Sequence, residues 1–426
     1  MAETTLELLY DASAHDADEA SLFLGLQNAS GRARFDLRTL DIEEMPSAFT
    51  ITNQDYIVRY TEDVFSQKEH RGHKDFSASP ASVAAKDNPV NPVNPVKENA
   101  AFSAPPREPL RGVMSPGGDM TEDDFRTLRD WGVTLLRYQM THCPPAAVTN
   151  VPAWRAWLEG RLDHLERVIL PMAAKYGLRV VVDLHNVPGG RDGHDWRLFD
   201  NDEYFAALLD AWRDIAARCT SIVQTMGPVI YGYDFANEPF QTRPHRRDYW
   251  QVQDACAKVV RAIDPAATLI VESNHMDSPY TFAYLSPLAM DDVIYEVHMY
   301  DPGTFTHQGV GPGDPIGQTY PGFLDNGERL DKDWLRMKLE PVREFQLKHR
   351  CRIYVGEFSA IAWAPGAGDY IRDCIELFEE YGWDWTYHAF REWKAWSIEH
   401  EGPDRDHMAP SADNPRKRAL LEGLTR

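Results

Sequence analysis

From Arg111 onward the chain repeats one beat, a short apolar run and then an amphipathic stretch, until a last strand-like segment that ends at Phe390. The apolar runs read RGVM, VTLLRYQ, LRVVVDLH, VIYGYDFANE, TLIVES, VIYEVHMY, RIYVGEFS and GWDWTYHAF. Between most of them lie helical patterns, among them Trp154 to Tyr176, Asp202 to Cys219, Tyr249 to Ile263 and Lys332 to Lys348. Strands that alternate with helices pair in parallel, because the crossover returns the chain to the same end of the sheet. Parallel strands are buried on both faces, which suits runs this apolar. Closure into an α/β fold of the (β/α)8 TIM barrel type buries all eight runs and leaves no edge. An open doubly wound sheet competes, but no glycine-rich phosphate loop follows the first run, and the polar residues gather at strand C-terminal ends.

The barrel therefore occupies residues 107 to 426, and two other segments precede it. Residues 1 to 61 mix LELLY, ARFDLRTLDI and AFTITNQDYIVRY, which alternate as strands, with a short helical pattern from Asp16 to Leu26. They read as a small N-terminal β-rich extension; a separate carbohydrate-binding module would need more strands. Residues 62 to 106 turn polar and include NPVNPVNPV from Asn88 to Val96. Proline removes amide donors and favours extended backbone, so this stretch is expected to be a linker or a disordered insertion.

Charge narrows the partners. Lys and Arg number 44 against 66 Asp and Glu, a formal net charge of −22, which opposes nucleic acid and anionic membrane and leaves a neutral polymer acceptable. No run approaches transmembrane length. The segment MAETTLELLYDASAHDADEA is acidic where a secretory leader is basic, so a cytoplasmic location is expected unless a leader was trimmed. The cysteines, at 143, 219, 256, 351 and 374, are odd in number and lack metal-ligand spacing, which fits small buried side chains in a reducing compartment.

Two of the runs end on carboxylates. YGYDFANEPF carries Asn237 and Glu238, and IYVGEF carries Glu357. Two carboxyl groups on separate strand ends are what a retaining glycosidase requires, one to protonate the leaving oxygen and one to attack the anomeric carbon. Other strands end on Arg137, His185, and the pair His298 and Tyr300. A lone buried histidine is usually a satisfied core residue, but five strands ending alike point to a site. In this order the motifs resemble those of glycoside hydrolase family 5, the cellulase family of clan A, over roughly Arg111 to the end.

That resemblance implies a retaining β-glycoside hydrolase that needs no metal or organic cofactor, an endo-β-1,4-glucanase acting on β-linked glucan or oligosaccharide. It implies Glu238 as general acid/base, Glu357 as nucleophile, and Asn237 as the partner of the sugar 2-hydroxyl. Arg137 would keep Glu357 ionised and Tyr300 would orient it. His185 and His298 would line the subsite of cleavage and tune the protonation of Glu238. One position departs from the family: a tryptophan is usual near the end of the eighth strand, and His388 stands there. Trp393 or Trp396, in REWKAW, would then supply the stacking surface, unless both merely pack the loop.

Other acidic residues on the strands compete for these roles. Asp183 and Glu296 each precede a histidine by two positions, which pairing inside the barrel explains. Glu272 closes the fifth run as either a substrate contact or a partner of one. The loops from Asp301 to Leu330 and from His185 to Asp200 are long enough to be lids or binding walls. A mannanase, an exo-acting β-glucosidase or 1,3-glucanase, or a glycolipid glycosidase would keep the same glutamates. A non-catalytic carbohydrate-binding barrel would not need them, and a Schiff-base aldolase would want a strand-end lysine, which none of the runs has.

Overall fold

The computed structural model describes residues 108 to 426, Pro312 excepted. The β-rich extension and linker expected over residues 1 to 106 lie outside the described residues. All eight runs are strands: β1 (Arg111–Met114), β2 (Leu135–Gln139), β3 (Arg179–Asp183), β4 (Ile230–Asp234), β5 (Leu269–Glu272), β6 (Val293–Met299), β7 (Arg352–Phe358) and β8 (Asp384–Tyr387). Each pairs in parallel with its sequence neighbours, and β8 returns to β1, so the barrel closes in chain order.

Helices α1 (Glu122–Asp130), α2 (Val151–His164, continued by Leu165–Ile169 and Leu170–Tyr176), α3 (Asp202–Met226) and α4 (Tyr249–Ile263) follow the first four strands. α5 (Lys332–His349), α6 (Ala367–Tyr381) and α7 (Pro415–Leu424) follow the last three. Side-chain caps start several of them: Asn201 accepts the Glu203 and Tyr204 amides ahead of α3, and Asp248 and Gln251 cap α4 reciprocally. The β5 to β6 connection differs. His275, Met276 and Asp277 take φ of 55°, 59° and 52°, a left-handed run no α-helix can start from, and only a short 3-10 turn, Pro279–Tyr284, follows.

Strand periodicity fills the barrel in two layers. Leu135, Val181, Tyr231, Ile270, Ile294 and Tyr354 form a buried apolar cluster inside. Side chains two residues apart on a strand share a face. Arg137, Asp183, Glu272 and Glu296 therefore stand one layer nearer the C-terminal mouth, all fully buried.

On β7 this arithmetic would fail without an irregularity. With Tyr354 pointing inward, strict alternation turns residue 357 outward. The register slips at Gly356, however: Val355 pairs with Val297 and Glu357 already pairs with His298. One extra residue re-aims the side chain after it, and Glu357 turns into the mouth. A side chain at Gly356 would overlap Glu296 Oε1, so only glycine fits there. The Thr386 hydroxyl on β8 donates to the Gly356 carbonyl at 2.6 Å and holds the slip in place.

Candidate active site

Arg137 is the centre of the charged layer. Its Nη1 donates to Glu357 Oε1 at 2.7 Å, and its Nη2 donates to Asp234 Oδ2 at 2.7 Å, Asn237 Oδ1 at 3.0 Å and Glu272 Oε1 at 3.1 Å. Asp183 and Glu296 complete the ring, each 3.3 Å from the guanidinium. One cation cannot balance five carboxylates held out of water, so some of them keep protons. Burial, with neighbouring carboxylates behind it, raises Asp234 to about 7 and Glu296 to about 8 against the pull of Arg137. The same causes lift Glu272 well above the carboxylate range.

Glu357 goes the other way. Burial works against its charge, yet His298, His388 and Arg137, in that order, hold it well below the ordinary carboxylate range. The arginine is thus one of several basic groups that keep it ionised. Tyr300 donates its hydroxyl to Glu357 Oε2 at 2.9 Å, as the sequence led us to expect.

His298 links the two glutamates: its Nδ1 lies 3.2 Å from Glu238 Oε1 and 3.9 Å from Glu357 Oε2, and its Nε2 lies 3.2 Å from Glu296 Oε1. Burial disfavours its charge, but Glu357, Glu238 and Glu296 raise its pKa well above the ordinary histidine value. Oxygens of Glu238 and Glu357 approach within 4.8 Å of one another. Glu238, Glu357 and His298 are close enough to hold a cation, as are Glu272, Glu296 and His298. An imidazolium has no free lone pair for a metal, and Arg137 already supplies positive charge among these oxygens.

His185 pairs with Asp183 at 3.0 Å and His298 with Glu296, the pairings that their two-residue spacing predicts. His388 reaches the same cavity from the end of β8. Its Nε2 is 2.9 Å from Glu392 Oε2, and its ring stands edge-on to Tyr300 at 6.1 Å. Trp396, 7% exposed, packs on His388 at 5.5 Å and on His307 at 5.0 Å. Trp393 is half-buried one ring further out, 6.0 Å from Trp396. The loop after β6 is tied to the site, since His307 packs on Tyr300 at 4.8 Å and Thr306 donates to the Tyr300 carbonyl.

Three residues near the glutamates escaped the sequence reading: Glu392, His307 and Arg191, whose Nη2 donates to the Glu238 carbonyl at 2.6 Å. Glu392 immediately precedes Trp393 and Trp396, which drew attention to themselves, and Arg191 lies in a loop noted only for its length. On that loop Trp196 is buried under Arg191, while Asp192 is exposed.

Paired carboxyl groups at the C-terminal mouth of such a barrel are the arrangement a glycosidic-bond hydrolase uses. The chain belongs to the cellulase family, glycosyl hydrolase family 5, which it matches over residues 97 to 395. It is similar to Endoglucanase C of Acetivibrio thermocellus, with 28% identity over 298 residues covering 63% of this chain and 84% of that protein. Cellodextrinase A of Ruminococcus flavefaciens is 28% identical over 256 residues, 56% of this chain and 68% of that protein. Among solved structures, endoglucanase Cel5A from the hyperthermophilic Thermotoga maritima superposes with a TM-score of 0.55 at 21% identity, over 74% of this chain and 97% of its own.

Proposed function

We propose that the chain hydrolyses β-1,4-linked glucan internally by double displacement, with Glu357 as nucleophile and Glu238 as acid/base. The observation that carries this reading is the approach of the two carboxyl groups to within 4.8 Å, with Glu357 held ionised among cations. An inverting enzyme separates its carboxyl groups by roughly 6.5 Å or more, to admit a water. Glu357 attacks C1 of the sugar while Glu238 passes its proton to the departing glycosidic oxygen. The glycosyl ester formed on Glu357 is then cleaved by a water whose proton returns to Glu238. Arg137 occupies the Asn237 carbonyl oxygen, which leaves the amide NH2 to bind the sugar 2-hydroxyl. His388, Glu392 and Tyr300 line the reacting subsite with polar atoms, and Trp393 and Trp396 border it.

The endo-glucanase specificity draws on Endoglucanase C, and the cellodextrinase relative makes short cellodextrins the first competitor to a polymer. A hydrolysis screen over cellulose, mixed-linkage glucan, 1,3-glucan, mannan, glycolipids and graded cellodextrins tests this reading through product size. Internal cuts in β-1,4-glucan with retained anomeric configuration are expected; turnover of mannan alone, or inverted products, would overturn it. Glu357→Ala should abolish turnover, with azide restoring it as the glycosyl azide of inverted configuration. Rescue at Glu238→Ala with that stereochemistry would exchange the two roles.

A further inference from the structure

Glu238 has φ of +56°, a left-handed backbone that a long side chain rarely adopts. A residue keeps such a conformation only where its surroundings over-determine it. Here the grip is visible on both sides of the residue. The Glu238 amide donates to Glu272 Oε2 at 2.6 Å, and the Glu238 carbonyl accepts from Arg191 Nη2 at 2.6 Å.

Both gripping side chains are themselves fixed. Arg191 is anchored by its Nη1 on the His194 carbonyl at 3.0 Å and lies over the Trp196 ring at 5.8 Å. Glu272 is fully buried and takes a second donor from Arg137. Its own backbone is clamped by Gln253 of α4, which accepts from the Glu272 amide and donates to its carbonyl, both at 2.7 Å. The left-handed run after β5 joins in, since the Met276 amide donates to the Pro239 carbonyl at 3.0 Å. The loop after β3 and the end of β5 thus converge on the backbone of Glu238 and Pro239, just beyond β4.

We propose that Arg191 and Glu272 are positioning residues for acid/base catalysis: they hold the Glu238 backbone left-handed, which aims its carboxyl group at the glycosidic oxygen. The inference rests on Glu238 being the acid/base residue. Neither side chain needs to meet substrate, because each acts through the main chain of Glu238.

Leaving-group dependence separates this role from a general structural one. A misaimed acid slows departure of a poor leaving group, while a good one departs without protonation. In Arg191→Ala, kcat/KM on dinitrophenyl cellobioside should stay within about twofold of the parent, and on phenyl cellobioside it should fall about a hundredfold. Arg191→Lys keeps a donor in reach and should recover part of the loss. Glu272→Gln keeps the volume, but its single carbonyl oxygen cannot serve both Arg137 and the Glu238 amide, so a smaller loss of the same selective kind is expected. The conservative pair carries the test where alanine disturbs folding. Equal losses on both substrates, or none on the phenyl glycoside, would overturn the positioning role. Glu238→Ala run in parallel keeps the two ideas apart: if it too loses rate evenly, the acid/base reading of Glu238 fails.

Discussion

The two layers inside the barrel are built from the same strands, two residues apart on most of them and three on β4 and β7, where the register slips, yet they obey opposite rules. The aliphatic members of the lower layer, Leu135, Val181, Ile270 and Ile294, are stabilised by burial and carry no polar group. The upper layer buries Arg137 among five carboxylates and depends on where each proton resides. A lower-layer residue is replaceable by another of its volume, whereas an upper-layer residue has no substitute that keeps its hydrogen bonds. Stability and chemistry are thus separated by about 7 Å along the regular strands, the rise of two residues.

Breaking the coupling between the layers should have the largest effect. Gly356→Ala forces a methyl group onto Glu296 Oε1 and shifts the slip that turns Glu357 inward. A displacement of an ångström at the proposed nucleophile costs on the order of 100-fold in rate. We expect at least that loss in kcat/KM on an activated aryl cellobioside; near-parental rates would show that the two layers tolerate independent movement.

Ile270→Ala probes the lower layer alone. A cavity there should lower unfolding stability by about 2 to 5 kcal/mol, read from urea denaturation. The pH profile of activity should keep its shape, and a shifted profile would mean that the apolar layer helps to set the charges above it.

The last test concerns the proton sharing. Glu296 has its pKa raised to about 8 by burial, and its unfolded value is near the ordinary 4.3 or so. Between those values the folded chain holds a proton that the unfolded chain has lost. This contribution is full below the unfolded value and vanishes as pH rises through the folded one. Its slope is about 1.4 kcal/mol per pH unit at most. Glu296→Gln fixes the neutral form, so urea midpoints measured from pH 5 to pH 8 should decline less steeply than in the parent. Identical slopes would mean that Glu296 is already ionised beside Arg137.

The strands and their order were legible because a buried parallel strand writes itself as an apolar run, and a strand-end charge interrupts it. Both glutamates, Arg137 and Tyr300 were singled out that way, and the barrel brings them together. Arg191 and Glu392 left no comparable trace, since a charged residue in a loop looks the same whether it faces solvent or a catalytic peptide. The β5 to β6 connection was equally opaque: NHMD has no glycine to announce three left-handed residues, and tertiary hydrogen bonds such as Met276 to Pro239 impose them. The glycine before Glu357 stood in plain view, but its meaning depends on the inward turn of Tyr354, which only the closed barrel supplies.

The left-handed backbone at Glu238 bears on laboratory evolution. Glycine at that position would shed the strain of the left-handed backbone. With Glu238 as the proposed acid/base residue, a library sorted for heat resistance alone would discard it early and return sturdier, inert barrels. The selective pressure that retains a glutamate there has to come from turnover, so any thermostability campaign on this chain must screen for activity in every round.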